Sequence, residues 1–365
     1  MDNPSNTPIV KHLVLLGGGH SHLAVLKHLA MHRVAGLAIT LISRDIHTPY
    51  SGMLPAYIDG VYSDDEMHID LRPLAQYAGA RLIREEITEL DLINKRVICK
   101  HRPAIDFDFI SLNIGSKPDA MMIPGASQHA IGIKPIDEFL QRLDEAIENA
   151  KQSLVKNKPF TLAIVGGGPA TVELALSAHN RLHQQLAISK GQDSPIKIKI
   201  ISGDAVLLKS HNLRVREQVQ QELSHANIIV HLSHQVSEFQ AQTIICDNGE
   251  NIQADLIVLA TGASLPAWPS QCGLQCGEDG FIAVNQYLQS TSHAFVFAAG
   301  DAASIVAQPR PKSGVFAVRQ GLPLAQNLIR FATGKKLKAF KPQKHALALI
   351  YLGNRRAIAS RKNLF

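Results

Sequence analysis

Apolar and amphipathic stretches alternate from the start of the chain. Residues 9–16 read as a strand, 20–33 as a helix and 37–43 (Leu-Ala-Ile-Thr-Leu-Ile-Ser) as a second strand, which together make a β-α-β unit. Residues 81–100 switch to short apolar–polar alternation, the pattern of a small antiparallel insertion. A further strand, Phe107 to Asn113, ends in Ile114-Gly115-Ser116. Residues 134–157 read as a connecting helix, with Pro135 near its start and Phe139, Leu140, Leu143 and Ile147 at helical spacing.

The scheme restarts at Phe160 with a strand, a turn and a helix to about Gln185, and Lys197 to Ile201 follow as another strand. A helix over 213–223 and short strands over 228–232 and 243–246 come next. Asp255 to Ala260 then form a buried strand ending in Thr261-Gly262. Its pattern echoes that of 108–116, so the chain carries a weak internal repeat of two related lobes. The run Ala294 to Ala299 ends in Gly300-Asp301, ahead of a loop with Pro309 and Pro311 and a helix from about Gly314. Two short runs around Gly353-Asn354 close the chain as a hairpin.

Each β-α-β unit is joined by a glycine turn: Gly17-Gly18-Gly19-His20-Ser21-His22 in the first, Gly166-Gly167-Gly168-Pro169-Ala170-Thr171 in the second. Glycine lets the backbone approach a pyrophosphate, and the helix behind it offers unsatisfied N–H groups and a positive dipole end. One such turn is weak evidence, whereas two in strand–turn–helix context point to two dinucleotides with electrons passing between them.

Length and composition set bounds on this picture. The 365 residues suffice for two full domains, and 45% hydrophobic with 19% charged residues is ordinary for a globular protein. No apolar run reaches the roughly 18 residues of a membrane span. The polar N-terminus lacks an apolar signal segment, so a cytoplasmic location is expected. Four cysteines are too few for a disulfide scaffold. The net charge of +6 is uneven: no Asp or Glu follows Asp301, while thirteen Lys and Arg lie between Arg310 and Lys362. Such a stretch is either a solvated basic surface or a contact for anionic lipid, nucleic acid or an acidic partner.

In this order the landmarks resemble the pyridine nucleotide-disulfide oxidoreductase superfamily over essentially the whole chain. The strand Ile39 to Ser43 with Thr48-Pro49-Tyr50-Ser51-Gly52-Met53-Leu54-Pro55 is similar to type II NADH dehydrogenases and sulfide:quinone oxidoreductases. Gly17 to His22 together with His47 to Pro55 most resembles a bacterial subgroup also found fused in front of selenide, water dikinase. The resemblance implies an α/β fold of two Rossmann-like, three-layer ββα domains. It places an FAD domain at 1–155 and 253–320, an inserted NAD(P)H domain at 156–252, and a short basic segment at 321–365. It also implies that Gly17, Gly18 and Gly19 hold the FAD pyrophosphate, and that Asp301 after Gly300 takes flavin ribityl or phosphate-side hydroxyls. Pro49, Tyr50, Ser51 and Gly52 would line the flavin pocket, Gly115 would also contact FAD, and Lys312, Ser313, Gly314 and Val315 would open a helix near the isoalloxazine. Gly166, Gly167, Gly168, Pro169 and Gly262 would hold NADH or NADPH. Glu173 matches a glutamate near the nicotinamide and flavin edge, although an acidic residue early in a helix is also favourable without function.

The sequence also departs from the family pattern. His22 and Thr171 replace the third glycine, so His20, Ser21 and His22 either donate to the pyrophosphate or cap and pack the helix start. The ribose acid is missing from both units. Ser43 and Arg44 replace it in the first; Ser202 does so in the second, with Asp204 two positions late, which leaves NADH against NADPH open. No cysteine pair flanks the flavin turn. Cys272 and Cys276 stand at C-x3-C spacing on a loop, an incomplete zinc set, and no metal is expected. The expected function is an FAD-dependent NAD(P)H oxidoreductase without a redox-active disulfide, passing electrons to a second acceptor. A quinone leads by analogy, with peripheral contact to the inner face of the cell membrane through the basic segment. The alternatives are a flavin-containing partner or sensor linked to selenium metabolism, and sulfide:quinone oxidoreductase-like activity. Nucleic-acid binding is not expected, since the basic segment has few aromatics for stacking.

Overall fold

The computed structural model describes residues 8–187 and 194–361. In the first half the elements that position the turns are Lys11–Leu16 (β1), His20–Met31 (α1), Leu37–Ser43 (β2), Arg81–Arg84 (β3) and Phe109–Leu112 (β4). Next come Ile131–Gly132 (β5), Ile136–Val155 (α2), Phe160–Val165 (β6), Pro169–Gln185 (α3), Ile196–Ile201 (β7), Ile229–His231 (β8) and Leu256–Leu259 (β9). Val296–Ala298 (β10), Gly314–Ala332 (α4), Ala348–Gly353 (β11) and Arg356–Ser360 (β12) complete the set.

The chain forms two compact units. The first comprises 1–50, 68–116 and 264–344, and the second 51–67, 117–263 and 345–365. The first holds a five-stranded sheet in the order β10-β4-β1-β2-β3, and every pairing is parallel. Strands buried on both faces must be apolar throughout; Leu13 to Leu16 are completely buried. Arg81–Arg84 belongs to this parallel sheet as its edge, and only the stretch from Ile87 onward is the expected antiparallel insertion. Helix α4 lies close against α1, because a Cβ on Gly321 would stand 2.5 Å from the Ala24 Cβ. Phe331 of α4 meets Phe109 and Phe297 at ring-centroid distances of 5.1 and 5.5 Å, which plugs the core.

The second unit repeats the plan: a parallel sheet in the order β5-β9-β6-β7-β8. Its core takes in Leu54, Ile58 and Met67, and Ile350, Leu352 and Ile358 from the terminal hairpin. Burying each of these side chains contributes roughly 1.5–3 kcal/mol, which holds 51–67 and 345–361 to this unit. The observed divisions therefore differ from those expected at 155, 253 and 321. The basic segment is shared between the units rather than forming one of its own. The hairpin turns at Asn354 and Arg355, with φ of +52° and +60°, the backbone a two-residue turn requires.

Candidate functional site

Both glycine turns are built alike. In the first unit β1 runs straight into the turn, and Gly17 N–H donates to the Ile42 carbonyl at the end of β2 (2.8 Å). Gly17 has φ +89°, and a Cβ there would lie 2.4 Å from the Asn113 carbonyl oxygen; only glycine fits. In the second, Gly166 N–H donates to the Ile201 carbonyl (2.9 Å), and its Cβ would lie 2.5 Å from the Ala260 carbonyl oxygen. Each turn thus sits where the strand order reverses, at the C-terminal sheet edge where parallel α/β folds bind ligands.

The residues in place of the third glycine face inward. His22 is fully buried: Nδ1 bonds the Gly17 carbonyl (2.7 Å) and Nε2 the Ser111 hydroxyl (2.9 Å). Burial lowers its pKa to about 4, so the ring is neutral and props the turn from beneath. Thr171 does the same job in the second unit, donating to the Ala260 carbonyl (3.3 Å). Ser21 Oγ, also buried, donates to Ala317 of α4 (2.6 Å). The His22 imidazole and the Ser21 hydroxyl are thus both engaged in packing the helix start. His20 sits edge-on to Tyr50 at 4.8 Å.

Asn113, which the sequence did not single out, organises the first turn. Its Oδ1 accepts from Ser21 N–H (3.1 Å) and His22 N–H (3.3 Å), and its Nδ2 donates to the Ala299 carbonyl (2.8 Å). A Cβ on Gly19 would lie 2.4 Å from Oδ1, and one on Gly300 2.4 Å from Nδ2. One amide therefore ties the start of α1 to the ends of β4 and β10, and partners two of the helix-start amides. The sheet end brings Ser43, Gly115, Gly300 and Asp301 into the same unit, and Ser116 Oγ donates to Asp301 (3.2 Å). Gln320 of α4 accepts from Gly300 N–H (2.6 Å).

Other expected flavin residues are placed as follows. Arg44 is exposed and paired with Asp45 (2.8 Å). The Lys312 ammonium donates to the Ala303 carbonyl (2.6 Å) and sits 3.8 Å over the Phe281 ring and 3.7 Å from Asp279. Burial lowers its pKa, and its charge is committed to these partners. Ser313 precedes α4, Gly314 begins it and Val315 is exposed. Pro49 and Tyr50 belong to the first unit and Ser51 to the second.

In the second unit a Cβ on Gly167 would lie 2.6 Å from Ser202 Oγ and 3.3 Å from Asp204 Oδ2. Although two positions late, Asp204 still reaches the turn, and Lys209 pairs with it at 2.8 Å. Gly262 packs on Asp119, whose N–H donates to its carbonyl (2.8 Å). Glu173, in the second turn of α3, accepts from Tyr351 N–H in β11 (2.9 Å). Burial raises its pKa to about 7, against the lowering effect of that hydrogen bond. Tyr351 Oη in turn donates to Asp59 (2.5 Å), which also accepts from Asn354 N–H (2.7 Å). The terminal hairpin is thus latched onto a carboxyl group that titrates near neutrality.

The turns fit a dinucleotide pyrophosphate. A Cβ on Gly168 or Gly115 would meet nothing within 4 Å, so the backbone there lies open to a ligand. The four cysteines are free thiols. Burial raises the pKa of both Cys272 and Cys276, and Cys272 Sγ accepts from Leu90 N–H (3.1 Å).

Residues 11–321 match the family model described as pyridine nucleotide-disulphide oxidoreductase. A type II NADH:quinone oxidoreductase of Haemophilus influenzae is 25% identical over 98% of this chain and 88% of its own length. NDH2 from Plasmodium falciparum, solved in complex with NADH, superposes with a TM-score of 0.81 at 16% identity, over 97% of this chain and 90% of its own. The sulfide:quinone oxidoreductase of Aquifex aeolicus gives 0.74 at 16% identity, over 96% and 87%.

Proposed function

We propose that this chain, which belongs to the pyridine nucleotide-disulphide oxidoreductase family and is an FAD-dependent oxidoreductase of NAD(P)H, delivers its electrons to a quinone without using a redox-active disulfide. The first unit would hold FAD and the second the nicotinamide cofactor. Bound there, FAD would supply the two-electron chemistry that links NAD(P)H to the second acceptor.

The carrying observation is the pair of glycine turns built on one plan and fitted to pyrophosphates, with no thiol drawn into either. Gly17 to Gly19 and the α1 start would seat the FAD pyrophosphate, with Asn113 fixing the strand ends around it. Asp301 would accept from flavin-side hydroxyls. Gly166 to Gly168 and Pro169 would seat the nicotinamide cofactor's pyrophosphate. Quinone reduction consumes protons, and Glu173, half ionised near pH 7, would hold one at its carboxyl group. Cys272 and Cys276, kept protonated by burial, are poor nucleophiles.

The test is NADH:quinone turnover by a variant lacking both loop thiols, Cys272→Ser with Cys276→Ser. Retention of at least half the activity is expected; loss of flavin reoxidation with normal folding would restore the disulfide mechanism.

No helix among the described residues is long and apolar enough to cross a membrane. Peripheral contact with anionic lipid is supported by the basic residues between Arg310 and Arg361. Lys312 and Arg356 are already held internally, the latter by Glu222 at 2.7 Å, and Arg310 and Arg330 donate to the Gln343 and Lys336 carbonyls (2.8 and 2.9 Å), so the remaining basic residues would carry it. Co-sedimentation with anionic vesicles at low salt tests this, and its absence would remove membrane contact.

A further inference from the structure

We propose that His231, His234 and Glu250 form a site on the second unit for one divalent transition-metal ion of the zinc type. His231 ends β8. Ser233, at φ +58°, turns the chain so that His234 comes back beside it, and the two ring centroids are 5.3 Å apart. Glu250 arrives from a separate turn, between the antiparallel strands Thr243–Cys246 and Asn251–Gln253. That turn is closed by Gly249 N–H to the Cys246 carbonyl (2.9 Å) and Cys246 N–H to the Glu250 carbonyl (3.0 Å). One donor atom from each of the three residues lies within 4.8 Å of the others.

The spacing of His231 and Glu250 fits two ligands of one ion better than it fits a hydrogen bond. His231 Nδ1 stands 3.6 Å from Glu250 Oε1, beyond a good hydrogen bond. Two ligands on one tetrahedral ion, each at about 2.0–2.2 Å, are separated by about 3.3–3.6 Å. The other His231 nitrogen, Nε2, is buried without a partner among the described residues, so the ring is positioned by neither nitrogen's hydrogen bonds. His234 has the support a ligand needs. Its Nδ1 bonds the Leu232 carbonyl (2.6 Å), which fixes the tautomer and leaves Nε2, 2.7 Å from Glu250 Oε2, to bind. Coordination would open that last contact by several tenths of an ångström.

The chemistry selects the ion. Two imidazoles and one carboxylate suit zinc and its first-row neighbours; calcium and magnesium require oxygen ligands. Three protein ligands leave a fourth position for water. The opposing charge is Lys199, which is turned towards the Gln253 carbonyl (3.2 Å). The site lies behind the nucleotide turn: Ser202 N–H donates to the His231 carbonyl and His234 N–H to the Ser202 carbonyl, both at 2.9 Å, and Ser233 N–H donates to the Asp204 carbonyl (3.0 Å). An ion there would brace the segment standing over Gly167.

The test is titration of metal-stripped protein with zinc by calorimetry, and with cobalt(II) followed by its visible d–d bands. A single ion is expected to bind with a Kd of about 1 μM or tighter, giving bands of tetrahedral intensity. His234→Gln and Glu250→Gln should each weaken zinc binding by at least about tenfold and remove the bands. His32→Gln, in the stacked His28–His32 pair at the C-terminal end of α1, should change neither. Circular dichroism without metal verifies that each variant is folded. Parent-like zinc affinity in both site variants, or no cobalt bands in the parent, would overturn the assignment.

Discussion

Replacing Asn113 by alanine removes the amide that partners Ser21 N–H and the Ala299 carbonyl; His22 N–H keeps its bond to the Gly19 carbonyl (2.9 Å). Losing a cap-type acceptor costs about 1 kcal/mol, and an orphaned buried carbonyl about 1–3 kcal/mol. Together they amount to about 3 kcal/mol, because Asn113 is only 3% exposed and water cannot easily substitute. In a unit of this size that corresponds to a fall in Tm of roughly 6–12 °C. The same amide sets the spacing of the strand ends around the turn, so FAD affinity should fall at least about tenfold, or about 1.4 kcal/mol. Asn113→Asp separates the two effects: it keeps the acceptor for the helix amides but brings a carboxylate to the pyrophosphate turn. It should lose more FAD affinity than Asn113→Ala. Scanning calorimetry of the flavin-free protein and fluorescence titration with FAD measure both quantities. Unchanged melting together with FAD affinity within twofold of the parent in Asn113→Ala would refute the view that this side chain organises the turn.

Other residues give independent tests. The pKa of His22 is lowered to about 4 in the folded chain, from about 6.5 unfolded. Its contribution is therefore present above pH 6.5 and lost as pH falls towards 4, by up to about 3 kcal/mol; denaturant melts across that window should show a shallower decline in His22→Gln. Glu173 runs the other way. With its pKa raised to about 7, it favours the fold below its unfolded value near 4.5 and loses that contribution as pH rises through 7. In Glu173→Gln this slope should vanish, along with any inflection near pH 7 in kcat; an unaltered kcat profile would remove Glu173 from proton handling. Asp204 places a carboxylate at the second turn, where a 2′-phosphate would meet like charge. Asp204→Asn should raise the kcat/KM ratio for NADPH over NADH by roughly tenfold, and an unchanged ratio would show that Asp204 does not face the ribose.

The parts of the fold visible in the sequence were those set by local pattern. Buried parallel strands must be continuously apolar, so 11–16, 160–165 and 256–259 stand out, and each glycine turn follows its strand directly. Features that depend on distant partners were hidden. Asn113 looks like an ordinary strand end until Ser21, 92 residues earlier, and Ala299, 186 later, converge on it. Arg81–Arg84 reads as alternating in isolation, and only its pairing with β2 makes it a parallel edge. The apolar residues of 51–67 and 348–358 announce burial without saying which core receives them. His22 showed the same ambiguity: a histidine at a phosphate turn is a donor by chemistry, and only its bonds to Gly17 and Ser111 make it a prop. His231, His234 and Glu250 carry no usual metal-ligand spacing, because two turns of separate strands bring them together.

The central claim is tested most directly by anaerobic stopped-flow on the purified flavoprotein. Mixing with NADH or NADPH should bleach the flavin band within the enzyme's turnover time, and a short-chain quinone should then restore it without added thiol or disulfide. Protein without bound flavin, a flavin that neither nucleotide bleaches, or reoxidation only by a disulfide substrate would contradict the account.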